Sequence, residues 1–285
     1  MRARSALFTL FGDVVRPCGG EAWLPTLTAC MRALGFTSEA TRTALHRMAL
    51  EGWVTQRRSG RFAAYRLTPR GVDRLEEAAA RIYRLRAIDW DRRWRMLVLT
   101  GQAVRPAPDL ARALSWSGYG RLSGGTWISP HPHPEGLGPL LAQHGQDDAY
   151  RFTTAARERT GAEDRRIVAS AWDLGELANA QAAFIDRWRA PRTPEENADA
   201  FRERIELVHH WRSFLFLDPG LPRQLLPSDW LGERAVEVFR ARYEALAPGS
   251  WSFVDAVAAR GPGGEGTLAR LGPTSPFALG VDLER

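Results

Sequence analysis

Six arginines and a single acid, Glu51, fall between positions 42 and 66 of this 285-residue chain. Arginine presents a planar fork of donors that matches a phosphate or the edge of a guanine. At 100° per residue, Arg42, Thr43, His46 and Arg47 share one side of a helix with Glu39 and Leu50, opposite Thr41, Ala44, Leu45 and Met48. One face is built to pack; the other offers long and short donors to an acceptor-rich surface. Arg57, Arg58 and Arg61 then crowd a span of five residues around Ser59-Gly60, where like charges repel unless a polyanion accepts them. Taken alone, the helix face would read as an ordinary solvated surface; the arginine-rich segment that follows at once shifts the reading toward duplex DNA.

The elements that must hold these groups are legible around them. Ser5 to Val15 carries Leu7, Leu10, Phe11 and Val14 at helical spacing, and Arg16-Pro17-Cys18-Gly19-Gly20 breaks it. Trp23 to Leu34 reads as a second helix stopped by Gly35, and Thr37 or Ser38 caps a third that runs to Glu51 and ends at Gly52. Trp53–Arg57 and Phe62–Leu67 are β-prone runs joined through Arg58-Ser59-Gly60-Arg61, a hairpin signal. Pro69 opens a fourth helix toward Arg86. Helix, helix and hairpin in this order predict a winged helix-turn-helix with a DNA-reading surface of Ser38, Arg42, Thr43, His46, Arg47, Arg57, Arg58 and Arg61.

Charge is distributed to match. Net charge is +6, but residues 1–86 hold 15 Arg and 7 Asp or Glu, a net of +8, whereas the remainder holds 24 and 26, a net of −2. The chain contains no lysine, so arginine abundance by itself is a weak signal. No apolar run approaches the ~20 residues that span a bilayer, and the apolar stretch after Arg4 is too short for a secretion signal, so a cytoplasmic protein without membrane contact is expected. Cys18 and Cys30 are read as free thiols.

Further along, Arg95–Thr100 reads as a strand, Pro108–Leu114 as a helix, Gly120–Ser123 and Thr126–Ser129 as a hairpin, and Leu137–His144 as a helix. Tyr150–Thr154 and Arg166–Ala171 are further strand candidates. The order β-α-β-β-α-β predicts a split βαβ sheet. Asp173–Trp188, Pro194–Leu217 and Trp230–Ala247 carry helical periodicity. The expected class is α+β, divided into a winged-helix domain (1–86), a ferredoxin-like middle domain (87–172), a helical C-terminal domain (173–260) and a Gly/Pro-rich tail (261–285). His131 and His133 are two apart but lack a third ligand nearby, and His209-His210 point apart on a helix, so no metal is expected. No G-x-S-x-G, H-E-x-x-H or Gly-rich phosphate loop occurs, so neither catalysis nor a cofactor is expected. The alternatives are a hydrolase or nuclease with an accessory DNA-binding domain, or a winged-helix module that binds protein.

The strings LFGDVVRPCGGEAWL (10–24), TRTALHRMALEGWV (41–54), YRLTPRG (65–71), WDRRWRMLVL (90–99) and FLFLDPGLPRQLLPSDWLG (214–232) resemble the phenylacetic-acid degradation repressors, the PaaX-type regulators, from about residue 5 to about 257. The resemblance implies a dimeric repressor that binds a palindromic operator and is released by an aryl-acyl-CoA such as phenylacetyl-CoA. It also implies that the middle domain is similar to a small CRISPR-associated endoribonuclease, which needs a carboxylate at the end of its first strand. Thr100-Gly101 stands there, and Asp89 and Asp91 lie at the other end, so no nuclease activity is expected. An acyl-CoA needs an apolar slot and cations for its phosphates. The sequence-local candidates are Arg93, Trp94 and Arg95, with Arg92 beside them, and Arg204, Trp211 and Arg212, with Arg202 nearby.

Overall fold

A computed structural model describes residues 1–60, 62–82, 90–100, 106–156, 161–189, 194–258 and 268. In chain order its elements are α1 (Ala3–Leu10), β1 (Glu21–Trp23), α2 (Leu24–Ala33), α3 (Ser38–Leu50), β2 (Val54–Ser59), β3 (Phe62–Leu67) and α4 (Pro69–Ile82). There follow β4 (Arg95–Val98), α5 (Pro108–Trp116), β5 (Gly120–Ser123), β6 (Thr126–Ser129), α6 (Leu137–Gln143), β7 (Tyr150–Thr153) and α7 (Ala162–Ala171). Three helices close the described chain: α8 (Leu174–Trp188), α9 (Asn197–Arg212) and α10 (Gly232–Val257). The class is mixed α+β, with two small antiparallel sheets and a helical C-terminal part.

These elements form two compact units that interleave along the chain. One takes Met1–Arg86, Phe184–Arg212 and Arg234–Arg285; the other takes Ala87–Ala183 and Ser213–Glu233. In the first, α1 continues through a π-helical turn (Phe11–Val15) and a 3₁₀ turn (Arg16–Cys18) before β1. The antiparallel sheet has the order β1-β3-β2, with Ala22 opposite Tyr65 and Arg57 opposite Ala64. Leu7, Leu10, Phe11, Leu27, Met31, Leu45, Met48 and Val54 share one core with Phe201 and Ile205 of α9 and Trp251 and Val254 of α10. The C-terminal helices α9 and α10 are thus part of the same core as α1–α3. Burial of each such side chain contributes roughly 1.5–3 kcal/mol. Leu268 also joins this core; of the remaining tail, and of the end of α4 toward Arg86, nothing lies within the described residues.

In the second unit the sheet order is β5-β6-β4-β7, all antiparallel, the arrangement expected of a split βαβ sheet. Leu97 packs with Leu110 and Leu114 of α5 and Leu137 and Leu141 of α6. On the other side, Met96 and Ile128 pack with Val168 and Trp172. The segment Arg166–Ala171, expected as a strand, is the end of helix α7. The buried Asp164 carboxylate accepts the Gly161 backbone N–H at 2.9 Å and fixes the helix start, which local β propensity does not report. Two other expectations shift. Glu21–Trp23 forms a third strand, where a break and then a helix were expected. Helix α10 runs ten residues beyond Ala247, through Pro248. A Cβ on the following Gly249 would lie 2.8 Å from that of Ala200, so the absent side chain is what lets α10 pass close to α9.

Candidate nucleic-acid interface

Helix α3 is positioned from both ends. The Thr37 hydroxyl caps it by accepting the Ala40 N–H at 3.1 Å, an interaction worth about 1 kcal/mol, and Glu39 lies in the first turn. At the other end Gly52, at φ 74°, permits a left-handed exit. The Trp53 N–H bonds Met48 O at 2.9 Å and the Gly52 N–H bonds Ala49 O at 3.0 Å, and this closed turn feeds the chain directly into β2. Thr41, Ala44, Leu45 and Met48 are buried beneath the helix, as the wheel requires. Arg42, Thr43, His46 and Arg47 are exposed, and Ser38 is half-buried at the first helical position.

The hairpin stands beside this helix. Arg57 and Arg58 are exposed on β2; Arg61 lies outside the described residues. Tyr65, on β3, ties hairpin to helix: burial pushes its phenol up, while the charges of Arg58 and Arg42 act on it in the opposite direction. The charges of Arg58 on β2 and Arg42 on α3 thus both reach this phenol. Among the described residues, Arg42, Arg47 and Arg58 make no ion pair, so their charge is presented outward.

Arg57 differs from its neighbours. It donates to Glu21 at 2.7 Å and lies 5.2 Å from the Trp23 ring, while Arg66 donates to the other Glu21 oxygen at 2.7 Å. Burial pushes the Glu21 carboxyl up, but the two guanidiniums outweigh it and hold the group below its ordinary value. Arg57 shares the single Glu21 charge with Arg66 and is thus partly neutralised across β1–β3–β2, unlike Arg58.

A second surface borders α3. A groove of about 820 Å³ runs between the start of α1 and the start of α3, lined by Arg2, Arg4, Ser5, Thr37, Thr43 and Arg47 among others. Arg4 is ion-paired with Glu51 and stacks 5.5 Å from the Phe8 ring. Arg2 and Arg4 precede α3 by more than thirty residues, and only the packing of α1 brings them beside it.

Most of the residues expected to hold an effector are buried or bonded within the fold. Trp94 is fully buried and donates to Asp164 at 2.8 Å. Arg95 grips Asp91 with both terminal nitrogens, at 2.6 and 2.5 Å, and also donates to Pro130 O at 3.2 Å. Arg204 is 1% exposed and is held by Asp13 and Tyr243; Trp211 is buried and stacks on Phe239 at 4.6 Å. Arg212 donates to the Thr9 hydroxyl at 2.6 Å, and Arg202 is tied to Asp199 at 2.8 Å and to Ala33 O at 3.0 Å. Local spacing showed cations beside tryptophans but not that the core had already engaged them. Arg93 alone of the six is exposed and keeps its side chain at the surface. In the second unit a cavity of about 700 Å³ is lined by Arg165, Val168, Trp172, Leu174, Leu225 and Leu226 among others.

Other groups raised by the sequence resolve likewise. The Asp91 carboxylate, held down by the Arg95 guanidinium against the opposing effect of burial, is engaged rather than poised for a metal. His133 pairs its Nδ1 with the Tyr119 hydroxyl, and His210 accepts the Trp188 indole N–H at 2.9 Å. Cys18 and Cys30 are buried and form no disulfide among the described residues, and burial pushes the Cys30 thiol up to about 12. Among the described residues no helix is long and apolar enough to cross a membrane.

Comparison with known proteins covers nearly the whole chain. Residues 2–71 match the PaaX-like protein family, residues 87–168 the PaaX protein central Cas2-like domain, and residues 172–256 the PaaX-like protein C-terminal domain. The chain is 32% identical over 262 residues to the Transcriptional repressor PaaX of Escherichia coli (strain K12), covering 88% of this chain and 82% of that protein. Its fold is similar to that of an uncharacterized protein, Rv0674, from Mycobacterium tuberculosis, with a TM-score of 0.56 and 24% identity over 83% of this chain and 91% of that one.

Proposed function

This chain belongs to the PaaX-like protein family, and on that premise we propose that it is a DNA-binding transcriptional repressor of an aromatic-acid, phenylacetate-type catabolic pathway. In this reading α2, α3 and the β2–β3 hairpin form a winged helix-turn-helix within residues 1–86. Helix α3 enters the major groove, and the hairpin lies along the adjacent backbone. The observation that carries the reading is the outward set of Arg42, Thr43, His46 and Arg47 on α3 with Arg58 beside it on the hairpin. Base edges are read by forked donors such as Arg42 and Arg47, and phosphates by Arg58. A homodimer pairs two such surfaces on a palindromic operator.

Release by an aryl-acyl-CoA requires that the thioester bind one dimer geometry better than the other; tight binding alone shifts nothing. With Trp94, Arg95, Arg204 and Trp211 engaged internally, the cavity beside Trp172 is the better place for an acyl group. Its volume of about 700 Å³ suits a drug-sized ligand, and Arg165 supplies a cation for a phosphate. The chain acts without nuclease catalysis in this reading, because Thr100-Gly101 stands where the first strand of the middle domain would need a metal-holding carboxylate. The test is a gel shift on the protein's own upstream region, repeated with a panel of acyl-CoA thioesters. A specific complex weakened by an aryl-acyl-CoA, with Arg165→Ala blunting the response, is the expected result. Absence of a complex would end the repressor reading, and a complex indifferent to every thioester would end its effector half.

A further inference from the structure

We infer that the groove between α1 and α3 is a second phosphate-binding surface, which holds the DNA strand on the side of α3 away from the hairpin. The inference rests on the DNA-binding reading of α3 and extends it to Arg2, Arg4 and Ser5, which that reading does not include. A helix lying in a major groove has a sugar-phosphate backbone on each flank, and the groove is only about 12 Å wide. The hairpin covers one flank. Around the wheel of α3, Arg42 sits on that flank, where its charge, like that of Arg58, acts on Tyr65. Arg47 and Thr43 sit on the opposite flank and line the groove with Arg2, Arg4 and Ser5 of the α1 segment.

Charge in the groove matches a phosphate row. Arg2, Arg4 and Arg47 contribute three cations against one lining acid, Glu39. Arg2 and Arg47 are exposed and, among the described residues, make no ion pair; Arg4 is partly neutralised by Glu51. The hydroxyls of Ser5, Thr37 and Thr43 add short donors of the kind that contact phosphate oxygens without reading sequence. Helix α1 is packed against α3 through Ala6, Leu7 and Leu10, so the position of Arg2 and Arg4 relative to Arg47 is set by the core rather than by a free arm.

The test is the salt dependence of binding to a mixed-sequence duplex, because phosphate contacts need no particular sequence. Each phosphate neutralised contributes about 0.9 to the slope of log K against log salt. Arg2→Ala is expected to lower that slope by about 1 per protomer engaged, and to weaken binding on specific and mixed duplexes by a similar factor. Arg58→Ala on the hairpin is the reference, expected to lower it by about 1. Both variants alter exposed side chains, so thermal melting should be unchanged. If Arg58→Ala lowers the slope while Arg2→Ala leaves it intact, the groove assignment is overturned and the α3 reading stands. If no variant changes a measurable slope, both fall together.

Discussion

Asp13, Arg204 and Tyr243 form a closed buried ring, and breaking it should be among the costliest single changes in the first unit. The Arg204 Nε donates to Asp13 at 2.8 Å, a terminal Arg204 nitrogen donates to the Tyr243 hydroxyl at 2.6 Å, and that hydroxyl donates to the second Asp13 oxygen at 2.8 Å. The acid side chain is 2% exposed and the guanidinium 1%, so water screens neither. Arg204 also lies 4.4 Å from the Tyr243 ring and 4.8 Å from the Trp251 ring. Asp13→Ala leaves a buried cation without its counter-ion, which costs about 3–5 kcal/mol, or roughly 6–20 °C in Tm for a body of this size. Tyr243→Phe removes one donor and exposes less charge, costing about 1–3 kcal/mol. Urea denaturation followed by tryptophan fluorescence, with Trp251 near the site as a reporter, reads both. Asp13→Leu combined with Arg204→Met and Tyr243→Phe should recover most of the loss, since an apolar replacement removes the unpaired charge. An Asp13→Ala cost below about 1 kcal/mol would refute the assignment of Arg204 to the core and return it to the surface as a possible ligand for an anion.

Glu21 gives a pH prediction. Its folded value lies below the ordinary 4.5, so its pairing stabilises the β1–β3–β2 sheet above that value and loses effect as pH falls through the folded value. Glu21→Gln should therefore flatten the acid limb of the stability profile below pH 4.5, with little change in its shape at neutral pH; an unaltered acid limb would contradict the pairing. Cys30 should resist alkylation in the native protein and react only on unfolding, because its buried thiol is pushed up to about 12; rapid native labelling would contradict this. Asp164→Ala removes both the Trp94 partner and the α7 cap, and should destabilise the second unit by about 2–4 kcal/mol while leaving binding to a mixed-sequence duplex intact.

The elements nearest the interface were the most legible. Apolar residues at helical spacing, Thr37 as a cap and Gly52 as a stop gave α3 to within a residue, and Ser59-Gly60 between two β-prone runs gave the hairpin. Those are local signals, carried by propensity and capping. β1 was not legible: three residues after two glycines have no period of their own, and only pairing with β3 makes them a strand. Arg166–Ala171 was misread because Ile167 and Val168 favour strands locally, while the helix is set by Asp164, a buried group bonded to Trp94 far away in sequence. That most of the effector candidates are engaged within the fold was hidden for a related reason. Spacing shows that a cation and an aromatic ring are neighbours but not whether Asp13, Asp91 or Asp164 has already claimed them. The groove beside α3 was hidden because Arg2 and Arg47 meet only through tertiary packing.

The most direct measurement is the affinity of Arg42→Ala with Arg47→Ala for the upstream operator, set against its affinity for a mixed-sequence duplex. Removal of both α3 forks is expected to lower specific affinity by at least tenfold more than non-specific affinity, since a good base contact is worth about 1–3 kcal/mol of discrimination. Unchanged operator affinity, in a variant that melts like the parent, would contradict the claim that this face of α3 reads DNA.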